Sequence, residues 1–196
     1  MLGGTPLRIA IGASPFLLPL MLQVGFGLSP LASGTLTVAT AVGSLATRAI
    51  LQQVIRRFNF RSLLLATTTL CSLLYASYSL FRPETPHVLI FCTLMLGGLI
   101  NSIGMVALQM LGFSAIPKPR MSHATTLSSM AQQLSLSFGV TIGAGLVSLT
   151  AWYHSGNSAV LQARDFSPAF VVIGMMTLLS LFFFARLGPD EGAELR

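Results

Sequence analysis

Charge is what this sequence has least of: only 8% of its 196 residues are Asp, Glu, Lys or Arg, where a soluble domain carries about 25%. With 53% hydrophobic residues, that scarcity excludes an ordinary soluble domain. Acids are scarcest, with five in all: Glu84, Asp165, Asp190, Glu191 and Glu194. The three histidines, His87, His123 and His154, border the apolar stretches instead of lying within them. The general bases that intramembrane hydrolysis needs are therefore missing at depth, as is any His-Glu-x-x-His zinc helix, and the chain does not read as an enzyme. Two cysteines, Cys71 and Cys92, fall inside apolar stretches, where a free thiol packs like a small hydrophobe. They support neither a disulfide framework nor a metal site, and no cofactor is expected. Met1–Leu7 lacks the basic start and the cleavage site of a signal peptide.

Long apolar runs take the place of charge. Ile9–Thr47, Ser62–Phe81, Val88–Pro117, Ala124–Tyr153 and Phe166–Ala185 carry no charge and are 39, 20, 30, 30 and 20 residues long. A helix crosses about 30 Å of hydrocarbon with roughly 20 apolar residues, so each run spans at least once and the first spans twice. The break in the first is Gly25-Phe26-Gly27-Leu28-Ser29-Pro30. The expected fold is all-α and integral to the membrane, a six-span domain over 1–188 with spans at about 7–26, 30–54, 62–81, 88–113, 124–153 and 167–186. Residues 189–196 form a tail. Ser29-Pro30, Thr85-Pro86 and Ser167-Pro168 each offer a hydroxyl cap before a first-turn proline, and are expected to open spans two, four and six.

Sorted by connection, Lys and Arg divide nine to two: Arg8, Arg48, Arg56, Arg57, Arg61, Lys118, Arg120, Arg186 and Arg196 against Arg82 and Arg164. The positive-inside rule then puts both termini in the cytoplasm and Trp152-Tyr153 at the outer interface. Topology accounts for the basic run, so the bilayer is the expected partner and nucleic acid is not.

Burying a polar group in hydrocarbon is costly unless it is paired or faces a cavity. The intramembrane carboxamides are Gln23 in span one, Gln52 and Gln53 at the inner end of span two, Asn101 and Gln109 in span four, and Gln132 and Gln133 in span five. Spans three and six have none, which suggests four helices around a polar path and two supporting them. Gly98, Asn101, Met105, Gln109 and Gly112 lie within about 80° of one another on a helical wheel. Arg8, Gln23, Asn101, Gln109, Gln132 and Gln133 are the candidates for the path, with interhelical hydrogen bonding and packing such as Gly139-x-x-x-Gly143 as the alternative reading. Arg8 either snorkels to the cytoplasm or sits at the inner mouth of the path. Pro15 and Pro19 are expected to kink span one.

Arg8, Gly12, Pro15-Phe16, Pro19, Leu22-Gln23, Gly27, Ser29-Pro30 and Gly34, with Gln133-Leu134 and Gly139-Val140-x-Ile142, resemble the major facilitator superfamily. The resemblance is to the C-terminal six-helix half of its multidrug/proton antiporter branch, usually built with fourteen spans. Arg56-Arg57-Phe58-Asn59-Phe60-Arg61 stands where that superfamily often has Asp-Arg-x-Gly-Arg-Arg, so Arg56, Arg57, Asn59 and Arg61 are the loop-motif positions, with Asn59 replacing a glycine it could mimic in the left-handed region. The resemblance implies a secondary transporter of the bacterial inner membrane, exporting drugs or other amphipathic small molecules in exchange for protons. It also implies an N-terminal six-helix half or partner subunit that carries the proton-coupling carboxylates. The alternative expectation is a structural or regulatory six-span remnant with no transport of its own.

Overall fold

The computed structural model describes residues 4–57, 59–114, 121–155 and 161–186. Among them are six helices and no strand: α1 (Thr5–Leu20), α2 (Pro30–Arg57), α3 (Phe60–Tyr78), α4 (His87–Ser114), α5 (Met121–Ser155) and α6 (Ala163–Ala185). The Pro117–Arg120 connection, Phe58 and the tail 189–196 lie outside the described residues. Five helices are long and apolar enough to cross a membrane by length and composition, and α3 falls short of that measure. Its 19 residues reach about 28 Å, but they include Arg61 and the run Thr67-Thr68-Thr69. Much of that polarity is internally satisfied. Thr67 donates to the Leu63 carbonyl and Thr69 to that of Leu65, both at 2.8 Å, and Ser72 donates across to Gly174 on α6 at 2.9 Å.

Helix α1 continues from Leu20 into one π turn, Met21–Gly25. Pro15 and Pro19 lie inside the helix, and the wider turn that follows them ends where the Phe26 amide reaches back to Met21 and that of Leu28 to Leu22. Gly27, at φ 68°, supplies the left-handed residue that ends the helix. Of the three expected caps, Ser29 alone behaves as one, accepting from the Ala32 amide at 3.2 Å. Thr85 instead closes a turn by accepting from the Arg82 amide. Helix α6 starts ahead of Ser167-Pro168, because Gln162 and Asp165 form a reciprocal capping box that nucleates it at Ala163. Ser167 is then free to donate to the Ser79 carbonyl at the end of α3.

Helix α2 packs on α4, α1 on α5 and α3 on α6, with weaker α3–α4 and α1–α6 contacts. Exchanging α1 with α4, α2 with α5 and α3 with α6 maps these pairings onto one another, an internal pseudo-twofold that the α5–α6 and α1–α2 contacts break. Glycines from both partners make the two tightest crossings. Gly43 lies against the Met95 carbonyl and Gly98 against that of Thr40, while Gly12 lies against Leu136 and Gly139 against Ile9. Small residues let backbones approach where lipid provides no hydrophobic drive for association. Helix α1 is the central element, with 56% of its apolar stretch buried against 22% for α2. Helix α6 buries Phe166, Phe170 and Ile173 and turns Met175, Leu179 and Phe182 outward.

Candidate functional site

The α1–α2 connection is short, yet the two helices pack on different partners and diverge. The space between them is a cavity of about 470 Å³ bounded by α1, α2 and α4. Its α1 wall is Ile11, Ser14, Pro15, Leu18 and Pro19. Proline has no N–H, so the Ile11 and Pro15 carbonyls lack the i+4 donors a regular helix would supply, and both residues line the cavity. Thr37, Thr40, Ala41 and Ser44 form the α2 wall, and Gly98, Asn101, Ser102 and Met105 the α4 wall. Tyr78 of α3 completes the lining, so α3 is not wholly outside the polar region.

Asn101 is the one carboxamide in this wall, and a network from two other helices holds it. Its Oδ1 accepts from Cys71 Sγ at 3.0 Å, and its Nδ2 donates to the Tyr75 hydroxyl at 3.5 Å. That hydroxyl also accepts from Ser14 Oγ at 3.0 Å. Tyr75 is 1% exposed and Cys71 equally so, which places the network's support inside the bundle and its amide at the cavity edge. A carboxamide offers two donors and two acceptor lone pairs, so Asn101 keeps one of each for a ligand.

The other sequence candidates lie elsewhere. Gln109 Nε2 donates to Gln132 Oε1 at 3.2 Å, bridging α4 and α5 one turn beyond Met105. Gln23 Nε2 donates to Ser33 Oγ at 3.4 Å, tying the π turn to α2. Gln133 is exposed, as are Gln52 and Gln53. Arg8 is 6% exposed and its Nε has no hydrogen-bond partner. A charge within a membrane helix is costly, so a buried arginine whose Nε is unpartnered is a feature to be explained.

In the loop motif, Asn59 is extended, at φ −69° and ψ 146°, and occupies the N-cap position of α3. The left-handed glycine mimic expected there is not used, because α3 restarts directly from an extended residue. Arg61 donates through Nη2 to the Ala185 carbonyl at 2.8 Å, capping the end of α6. Arg57 is exposed, and Arg56 lies on the last turn of α2. The opposite end of the bundle holds His154 Nδ1 at 2.8 Å from Asp165 Oδ1.

The α2 hydroxyls and the Ser14–Tyr75 support were not singled out from sequence. Thr37, Thr40 and Ser44 follow at i, i+3 and i+7, so their stripe was readable. Tyr75 carried no comparable signal, because an aromatic in an apolar helix looks the same whether it faces lipid or protein.

The family model for the Major Facilitator Superfamily matches residues 5–140, which include every helix that lines the cavity. Proteins named "Putative multidrug resistance protein MdtD" from Salmonella paratyphi B, Salmonella newport and Salmonella typhi are each 32% identical over 193 residues, or 97% of this chain. The chain spans 40% of the length of these relatives. No solved structure gives a significant match. Matched by its family through the helices that build the cavity, the chain belongs to the Major Facilitator Superfamily and is a multi-pass membrane protein.

Proposed function

We propose that this chain forms one wall of the path of a proton-coupled exporter of drugs or other amphipathic small molecules, in a bacterial inner membrane and with both termini cytoplasmic. The observation that carries this reading is the cavity between α1, α2 and α4, whose mainly apolar wall has one carboxamide, Asn101, held by Cys71 and Tyr75. An apolar pocket with few convergent polar groups accepts varied ligands, and an amide donates and accepts without the cost of burying a charge. The names of the Salmonella relatives point the same way.

Closure on the cytoplasmic side fits this reading. There Leu108 of α4 packs on Gly4 beside α1, and Gly104 lies against Leu7, whereas the helices separate around the cavity farther along. Arg57, Arg61 and Arg186 gather at that same end, as the positive-inside rule requires of the cytoplasm. Transport rests on a second six-helix half that faces this wall and rocks against it. The coupling carboxylate belongs to that half, since all five acids of this chain lie outside its charge-free stretches.

The test is transport of several chemically distinct drugs by the transporter that contains this segment, comparing wild type with Asn101→Ala at equal folded amounts. Losses that differ between drugs support the reading. The same fractional change for every drug, or no change, makes Asn101 a packing residue and rejects it.

A further inference from the structure

Arg8 is the one buried basic side chain among the described residues. The buried carboxylate there, Asp165, is far from it: the start of α6 lies beside Gly25 at the other end of α1, and Asp165 is already engaged by His154 and by the Gln162 amide. The Arg8 guanidinium stays charged in a protein, and among the described residues no carboxylate pairs with it.

Its place in the bundle says where. Gly12 lies against Leu136 and Gly143 against Leu17, so α1 and α5 run parallel and Arg8 is level with Gln132, one turn before Leu136. On the α1 wheel Arg8 falls within about 60° of Ile11 and about 20° of Pro15, both of which line the cavity. From α4, Leu108 packs on Gly4 and Gly104 lies against Leu7, which puts Gln109 about one helical turn to the cytoplasmic side of Arg8. The Gln109–Gln132 bridge thus lies within about one turn of Arg8, which continues the cavity-lining stripe of α1 just beyond the cavity's cytoplasmic end.

We infer that Arg8 is an anion-recognition residue of the path, and that the substrate class is amphipathic molecules bearing a carboxylate. This rests on the proposed reading of the cavity as a transport path and narrows it. A guanidinium presents a planar fork that matches a carboxylate through two parallel charge-assisted hydrogen bonds, while the apolar cavity takes the remainder of the molecule. A cationic substrate would meet an unscreened like charge. A lipid headgroup needs a cation at the protein surface, and Arg8 is 6% exposed.

The experiment uses the full chain in phosphatidylcholine nanodiscs, with dansylglycine and its neutral isostere dansylglycinamide as fluorescent probes. The acid is expected to bind about tenfold more tightly than the amide, Arg8→Gln to bring that ratio to about one with the amide's Kd unchanged, and Arg8→Lys to keep an intermediate ratio. If Arg8→Gln does not fold, as judged by helical circular dichroism and monodispersity, the Arg8→Lys ratio carries the test: one equal to wild type overturns the bidentate role. Equal binding of both probes by wild type overturns the inference and leaves the cavity reading standing. Binding of neither overturns the cavity reading itself. A wild-type preference erased by phosphatidylglycerol at constant ionic strength assigns the site to a headgroup and overturns the substrate assignment.

Discussion

The paired glycines give the sharpest quantitative expectation, because their crossings predict a change of sign between otherwise identical substitutions. In an open helix, Gly→Ala is favourable by about 0.5–1 kcal/mol, since alanine loses less backbone entropy. Gly34 of α2 and Gly145 of α5 have nothing near enough to meet an added methyl, so this gain should appear in full. At Gly12 the methyl would lie 2.6 Å from Leu136 Cα and 2.7 Å from its carbonyl oxygen, where ordinary contact begins at 3.4 Å. Both are backbone atoms, so α1 and α5 must separate by about 0.8 Å, enough to forfeit a quarter to a half of each dispersion well. About 40 close atom pairs at roughly 0.15 kcal/mol each give a loss of about 2 kcal/mol, inside the usual range for overpacking. Net of the helix gain, Gly12→Ala should cost about 1 kcal/mol. Thermal unfolding of purified protein, followed by circular dichroism, should show Tm lower by about 2–4 °C for Gly12→Ala and higher by a similar amount for Gly34→Ala and Gly145→Ala. Adding Gly139→Ala to Gly12→Ala should cost less than the sum, because the first separation already accommodates the second methyl. An upward shift for Gly12→Ala equal to that of Gly34→Ala would refute the close-crossing argument.

Tyr75→Phe removes the hydroxyl that joins Ser14 to Asn101 and should lower stability by about 0.6–1.7 kcal/mol, while drug selectivity shifts in the same direction as for Asn101→Ala; an unchanged profile would separate the network from the cavity. Asp165→Ala strips the Gln162 amide and His154 of their acceptor and should cost about 1–3 kcal/mol, with Asp165→Asn costing clearly less, as measured by the same unfolding assay. For topology, single cysteines replacing Arg82 or Arg164, in a background lacking Cys71 and Cys92, should react with an impermeant maleimide only from outside oriented cells, and cytoplasmic reactivity would invert the assignment.

The membrane class, the number of helices and the even spacing of their connections follow from local information: charge is so costly in hydrocarbon that its absence marks the spans. Ser29-Pro30 was likewise legible as a cap, because its bond to Ala32 closes within one turn. The start of α6 was less so, since Gln162 with Asp165 competed with Ser167-Pro168 for the same role and Ser167 found a distant partner in Ser79. Asn101 stood out as a polar residue in an apolar run, but its partners Cys71 and Tyr75, and Ser14 behind Tyr75, come from two other helices and had no periodic signal of their own. Which face of each helix meets protein was decided by the tertiary structure, because lipid tails are as apolar as leucine and hydropathy cannot tell one neighbour from the other. The divergence of α1 from α2, and with it the cavity, arises from glycine crossings with α5 and α4 that bring together residues more than fifty positions apart. By itself the sequence determined that these helices enter a bilayer, whereas their backbone-to-backbone crossings decided where the bundle leaves a space and which side chains surround it.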